Sequence, residues 1–229
     1  MQPSYVTPPI ERPRGVGALL GDALRRPGGR RALSLLSVVL LLAGVGMFAD
    51  PVATDLFSRY KQDQLQSAFD DPALRDAYRN RDIPVGDGLT RLKIDAIGVD
   101  VLVVEGTTPS ALRAGAGHYV GTPLPGEVGN VGIAGHRTTY GRPFNRMDEL
   151  QEGDTVTLET PLATHTYRAV PGFDGHDNPW VVTPSQSSVL LPQEGRSLLT
   201  LTTCHPKGSA RQRLIMTFEL VETVPKAPA

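Results

Sequence analysis

"SLLTLTTCHPKGSARQRLIMTFELV", residues 197–221, holds two β-like runs separated by a polar loop that contains a glycine. Along an extended chain the side chains alternate, so Leu199, Leu201 and Thr203 share one face and Thr200, Thr202 and Cys204 the other. Pro206 has no amide proton to give a ladder, so the first strand is expected to stop there. The apolar run resumes at Arg213, and the two strands are expected to pair as a hairpin. Cys204 and Arg213 then stand at the same open end. Cys204 is the only cysteine in the chain, so no internal disulfide can use it.

The texture of this hairpin extends upstream. LTRLKI (89–94), VDVLVV (99–104), NVGIAGH (130–136), DTVTLE (154–159) and HTYRAV (165–170) are further short runs split by turn residues. In "GTTPSAL", Thr108 is placed to cap a short helix with Pro109 at its first position. Many short strands with almost no helix between them predict a mainly β fold, a closed or nearly closed barrel over 87–222. Residues 223–229 read as a frayed tail.

Before the barrel the composition changes twice. Residues 1–31 carry Arg12, Arg14, Arg25, Arg26, Arg30 and Arg31 against Glu11 and Asp22, with frequent proline and glycine, which predicts a flexible basic tail. Residues 32–49, ALSLLSVVLLLAGVGMFA, carry no charge. As a helix they reach roughly 27 Å, close to the hydrocarbon thickness of a bilayer. The run is longer than a usual signal-peptide core and its basic leader is long, which favours a retained signal anchor over a cleaved leader. The arginines on its N-terminal side put the N-terminus in the cytoplasm and the rest outside. Residues 50–86 are charged and helix-permissive, a juxtamembrane stalk with Pro72 opening a second helix. The whole chain has 23 Lys+Arg against 24 Asp+Glu, without the basic excess of a nucleic-acid binder.

A lone cysteine is most often a small buried hydrophobe. Here its neighbours are Thr202, Thr203 and His205 rather than aliphatic residues. A nucleophilic thiol needs exposure and a base or cation to favour the thiolate. His136 ends an apolar strand in "GNVGIAGHRTTYGRPF" and is the side chain suited to move protons near neutral pH. Arg213 is the cation expected across the hairpin, and Arg211, of the same parity, is its local competitor. Among the other histidines, His118 is a candidate pocket residue beside Tyr119. His165 reads as solvated at the start of a strand, and His176 as an exposed loop residue. His205 points away from the nucleophile if the strand persists. No paired Cys/His set stands at zinc-site intervals, no acidic cluster suggests calcium, and no cofactor is called for.

These motifs resemble those of the sortase family. "TLTTC" fits the sortase pattern Thr-Leu-x-Thr-Cys, with the Arg of "RQRLI" nine residues after the cysteine. "GNVGIAGHRTTYGRPF" is similar to the strand that carries the sortase histidine. "KIDAIGVDVLVVEGTTPSALRAGAGHY" is similar to the opening of that domain in class E, the actinobacterial type. The resemblance covers roughly 87–222. It implies a closed eight-stranded sortase-type β-barrel and a cysteine transpeptidase on the outer face of a Gram-positive membrane. Such an enzyme cuts a C-terminal sorting signal between Thr and Gly and joins the Thr to an amine. By the same resemblance Cys204 is the nucleophile, His136 the proton carrier and Arg213 the oxyanion partner. Tyr119 falls at a groove position that goes with a Leu-Ala-x-Thr-Gly preference, and Thr202 and His118 are further substrate-side candidates. The implied partners are secreted proteins bearing the signal and the amine of a cell-wall precursor.

Two other readings compete. An L,D-transpeptidase is disfavoured, because its cysteine sits in a Ser-x-Gly-Cys context that TLTTC lacks. A membrane-tethered binding module would use the barrel as a scaffold and keep a slow, buried thiol.

Overall fold

The computed structural model describes residues 27–69, 71–172 and 176–227, together with Gly17 and Gly21. The chain divides into two units, Met1–Asp50 and Pro51–Ala229. In the first, helix α1 (Pro27–Phe69) begins, and its Pro27–Gly46 stretch is long and apolar enough to cross a membrane. Leu35, Val39 and Leu42 are exposed there, as side chains facing lipid would be. Residues 27–31, expected as the end of a flexible tail, are already helical. The rest of that basic tail lies outside the described residues except for Gly17 and Gly21, and residues 228–229 lie outside them too.

Nine strands are found among the described residues of the second unit. They are β1 (Gly88–Ile94), β2 (Val99–Glu105), β3 (Ala116–His118), β4 (Gly129–Gly135), β5 (Thr155–Glu159), β6 (Ala163–Ala169), β7 (Trp180–Val182), β8 (Ser197–His205) and β9 (Gln212–Pro225). Neighbours run β6-β5-β1-β2-β3-β4-β8-β9, and β9 returns to β6, closing an eight-stranded barrel. Strand β7 is the extra one. It lies along the first part of β9, pairing Val182 with Arg213 and Trp180 with Ile215, while the last part of β9 pairs with β6. Residues 223–225, expected to fray, are therefore laddered: Thr164 stands opposite Val224 and Ala163 opposite Pro225.

The inward faces follow the alternation seen in the sequence. Leu92, Ile94, Val103, Val131, Ile133, Phe144, Leu199, Leu201, Met216 and Phe218 are fully buried in one cluster. Burying each such side chain stabilises the fold by roughly 1.5–3 kcal/mol. Tyr167 is buried with them, and its hydroxyl accepts the Gly126 amide at 2.7 Å. Burial pushes that phenol up to about 12.

Helix α2 (Pro72–Asn80) starts where proline suits a first turn, and Asp71 accepts the Ala73 amide at 2.8 Å. Helix α3 (Pro109–Ala114) is capped in the same way by Thr108, which accepts the Ala111 amide at 3.3 Å. The part of α1 after residue 50 is not a free stalk. The Gln62 amide donates to Leu102 O at 3.1 Å and Ala114 O at 2.8 Å, and its carbonyl oxygen accepts the Leu102 amide at 2.7 Å.

His165 corrects an expectation. It is 7 % exposed rather than solvated, because it lies between β5 and β9, with Nδ1 3.1 Å from the Thr223 hydroxyl. Burial lowers its pKa, and burial followed by the Arg113 charge lowers that of His136. Below about pH 6.5 the unfolded chain binds protons that these two groups refuse in the folded state. Stability therefore falls as pH drops through that window and is full above it. Thermal unfolding between pH 7.5 and 5 is expected to show this loss, and His165→Gln to reduce it; an unchanged pH dependence in the variant would exclude His165 as a source.

Candidate active site

The register of β8 against β9 sets Cys204 directly opposite Arg213. Directly opposed residues on an antiparallel pair project from one face with Cβ atoms about 4.5–5.5 Å apart, so thiol and guanidinium share the outer side of the barrel mouth. Arg213 donates to Ala210 O at 2.9 Å and Gln212 O at 3.0 Å, which ties its head to the turn. Arg211 lies before β9, exposed in the loop, because the ladder begins with His205 opposite Gln212. Between the outward residues, Thr203 turns in and donates to Gly135 O at 2.8 Å.

Strand β4 runs parallel to β8, with Ala134 opposite Thr202. His136 follows the end of β4, two residues past the Ala134–Thr202 pair, and Cys204 lies two residues past the same pair on β8. His136 is half-buried, and its lowered pKa favours the neutral imidazole at pH 7, a form able to accept a proton. Its ring stands 5.2 Å from that of Tyr140, tilted by 37°.

Arg137, next in sequence, turns inward and is 3 % exposed. It donates to Cys204 O at 3.3 Å and His205 Nδ1 at 2.9 Å, and pairs with Asp148 at 3.0 Å. Arginine has only donors, so His205 Nδ1 accepts and the neutral ring carries its proton on Nε2. His205 is thus engaged by Arg137, on the side away from the thiol. Sequence reasoning missed Arg137, although its parity opposite to His136 already pointed it inward.

Beside the cysteine, the outer faces of β4 and β8 are covered by two segments. Asn130 anchors one: its amide donates to Val189 O at 3.0 Å and Leu191 O at 3.3 Å, and it accepts the Thr200 hydroxyl at 2.9 Å. The 187–191 turn is thereby pinned over the sheet. Tyr119 belongs to the other, with its hydroxyl 3.0 Å from that of Thr202. The two meet over Gly132, where an added Cβ would lie 2.9 Å from both Leu190 and Tyr119. His118 is not brought to this face. It is buried, with Nδ1 2.7 Å from Glu105 and Nε2 2.8 Å from the Thr122 hydroxyl, holding β3 to β2 and to the turn that follows β3. His176 is exposed, as expected, and stacks on Trp180 at 6.2 Å.

The family model described as a sortase domain matches residues 92–221. Sortase SrtE1 of Streptomyces coelicolor is 32% identical over 156 residues, which cover 62% of this chain and 43% of that protein. The match thus spans less than half of the length of SrtE1. Sortase SrtE2 of the same organism is 28% identical over 235 residues, covering 89% of this chain and 88% of SrtE2. The solved structure of Streptomyces coelicolor sortase E1 with a tripeptide in its active site aligns with a TM-score of 0.55 at 32% identity, covering 61% of this chain and 91% of that one.

Proposed function

Because the chain belongs to the sortase family, whose members are cysteine transpeptidases, and is similar to its class E members, we propose that it is a membrane-anchored class E sortase acting outside the cell. Its span is the apolar start of α1, and the arginines before it keep the N-terminus in the cytoplasm. The observation that carries the proposal is the pairing of Cys204 with Arg213 across β8 and β9, with His136 directly after the neighbouring strand β4, two residues past its Ala134–Thr202 pair.

In the reaction, Cys204 gives its thiol proton to the neutral His136 imidazole as Sγ attacks the carbonyl carbon of the Thr in a Leu-Ala-x-Thr-Gly or Leu-Pro-x-Thr-Gly signal. The carbonyl oxygen becomes an oxyanion beside the Arg213 guanidinium, a fixed charge that acts strongly where water is excluded. His136 protonates the glycine nitrogen, the C–N bond breaks, and a thioester to Cys204 remains. An incoming amine, that of a cell-wall precursor, gives its proton to His136 and attacks the thioester. The new amide forms, and the departing sulfur takes that proton back from His136, which restores the thiol and the neutral imidazole. Tyr119 and Thr202 line the path of the extended signal toward Cys204, and the Tyr119 hydroxyl is placed to sense the residue after Leu.

The test uses the full chain in detergent with a Leu-Ala-x-Thr-Gly peptide and a glycine amine. Mass spectrometry is expected to show the ligated product and an acyl adduct on Cys204. If neither forms with this peptide or with Leu-Pro-x-Thr-Gly, the chain is a tethered binding module. In the same assay Tyr119→Phe removes one hydrogen-bonding hydroxyl, about 0.5–1.5 kcal/mol. A few-fold loss of discrimination between the two peptides is expected, and unchanged discrimination would take Tyr119 out of substrate choice.

A further inference from the structure

The loop after β4 passes through three successive left-handed residues, Tyr140 (φ 51°), Gly141 (φ 74°) and Arg142 (φ 50°). Glycine adopts this conformation freely, whereas two non-glycine residues hold it only where their surroundings over-determine it. Those surroundings are helix α1. One oxygen of Asp55 accepts the Gly141 amide at 3.1 Å, and the other accepts the Arg142 guanidinium at 2.7 Å. Buried Ser58 sits beneath the turn, its Oγ 3.0 Å from where a Cβ on Gly141 would stand. Gln62, two turns further on, fixes the helix to β2 and α3 through three hydrogen bonds.

The same contact reaches the imidazole. Phe57 meets the Tyr140 ring edge-on, with centroids 6.4 Å apart and planes at 77°. Tyr140 in turn lies 5.2 Å from the His136 ring. His136 is the first residue beyond its strand, so no ladder partner holds it. An aromatic ring against one face limits its rotation.

We propose that residues 55–62 of α1 clamp the turn at 140–142, and that Tyr140 is a positioning residue that holds the His136 imidazole in its proton-transferring orientation. The inference rests on the reading of His136 as the proton carrier. The tyrosine acts through its ring and makes no contact with substrate. The helix segment ahead of the barrel is then part of the catalytic apparatus, although it touches no reacting atom.

The test measures kcat, KM and thermal unfolding for full-chain variants in detergent. Tyr140→Ala is expected to lower kcat roughly tenfold to hundredfold, the scale of a misplaced catalytic group, with KM nearly unchanged. Tyr140→Phe, which keeps the ring, is expected to restore most of the rate. Asp55→Ala and Phe57→Ala, on the helix rather than the loop, are expected to lower kcat several-fold with the barrel still folded. Wild-type kcat in both helix variants overturns the clamp, even if Tyr140→Ala fails to fold. A rise in KM at constant kcat, or a loss that Phe does not rescue, overturns the positioning role. His136→Ala is run alongside to separate the two layers. If it retains turnover, the reading of His136 fails; if it is inactive while Tyr140→Ala matches wild type, the positioning inference alone fails.

Discussion

Replacing Cys204 with Ala is expected to abolish both the acyl-enzyme and the ligated product while the barrel stays folded. The reason for the intact fold is the alternation along β8. Leu199, Leu201 and Thr203 face inward and carry the packing, whereas Cys204 is only half-buried at the outer mouth. Removing one sulfur from that position opens no core cavity, so the thermal midpoint should move little. Chemistry, by contrast, has no other thiol to use. The check is mass spectrometry of the variant after incubation with the sorting peptide, beside its unfolding curve. Product formation at the wild-type rate would remove the thioester from the mechanism altogether.

Arg213→Ala is expected to cost about 2.7–4 kcal/mol of transition-state stabilisation, a loss of 10²–10³ in kcat, the size seen when one oxyanion donor is removed. Arg213→Lys should recover little of this, because a point charge on a flexible stem does not reproduce the planar donor fork. Arg211→Ala is the internal control. Its residue precedes the ladder and is exposed, so near-normal turnover is expected. The reverse pattern, with Arg211→Ala inactive and Arg213→Ala normal, would show that the loop re-forms on substrate binding and carries the wrong arginine into place.

Long runs of alternation were readable from the chain alone, and they account for seven strands of the barrel. The two that escaped, β3 and β7, span three residues each. Ala116-Gly117-His118 is too short to alternate, and Trp180-Val181-Val182 follows a proline-containing loop and exists as a strand because β9 offers it an edge. Cys204 and Arg213 were legible together because a hairpin is local. His136 was legible as a strand end followed by polar residues. The supports of the site were not, since each depends on a contact that sequence proximity does not suggest. Asp55 reaches Arg142 across 87 positions, and Asn130 holds a turn some sixty residues away. His165 was misread for the same reason: its own strand looks half-polar, but the ring shares the buried face of Ala163 and Tyr167 and lies against Gly126, some forty residues away.

The parallel pairing of β4 with β8 has a consequence for how the proposed active site comes together. Parallel neighbours cannot be joined by a tight turn, so His136 and Cys204, the proposed proton carrier and nucleophile, are separated by most of the barrel's second half. A chain still being completed, or one not yet closed into its barrel, holds an ordinary cysteine with no base beside it. The two come together only when β4 pairs with β8, a contact that must close a long loop first. In the proposed mechanism, the pairing that brings the base to the thiol is thus a late-assembled part of the same sheet that carries Tyr119 and Thr202 toward it.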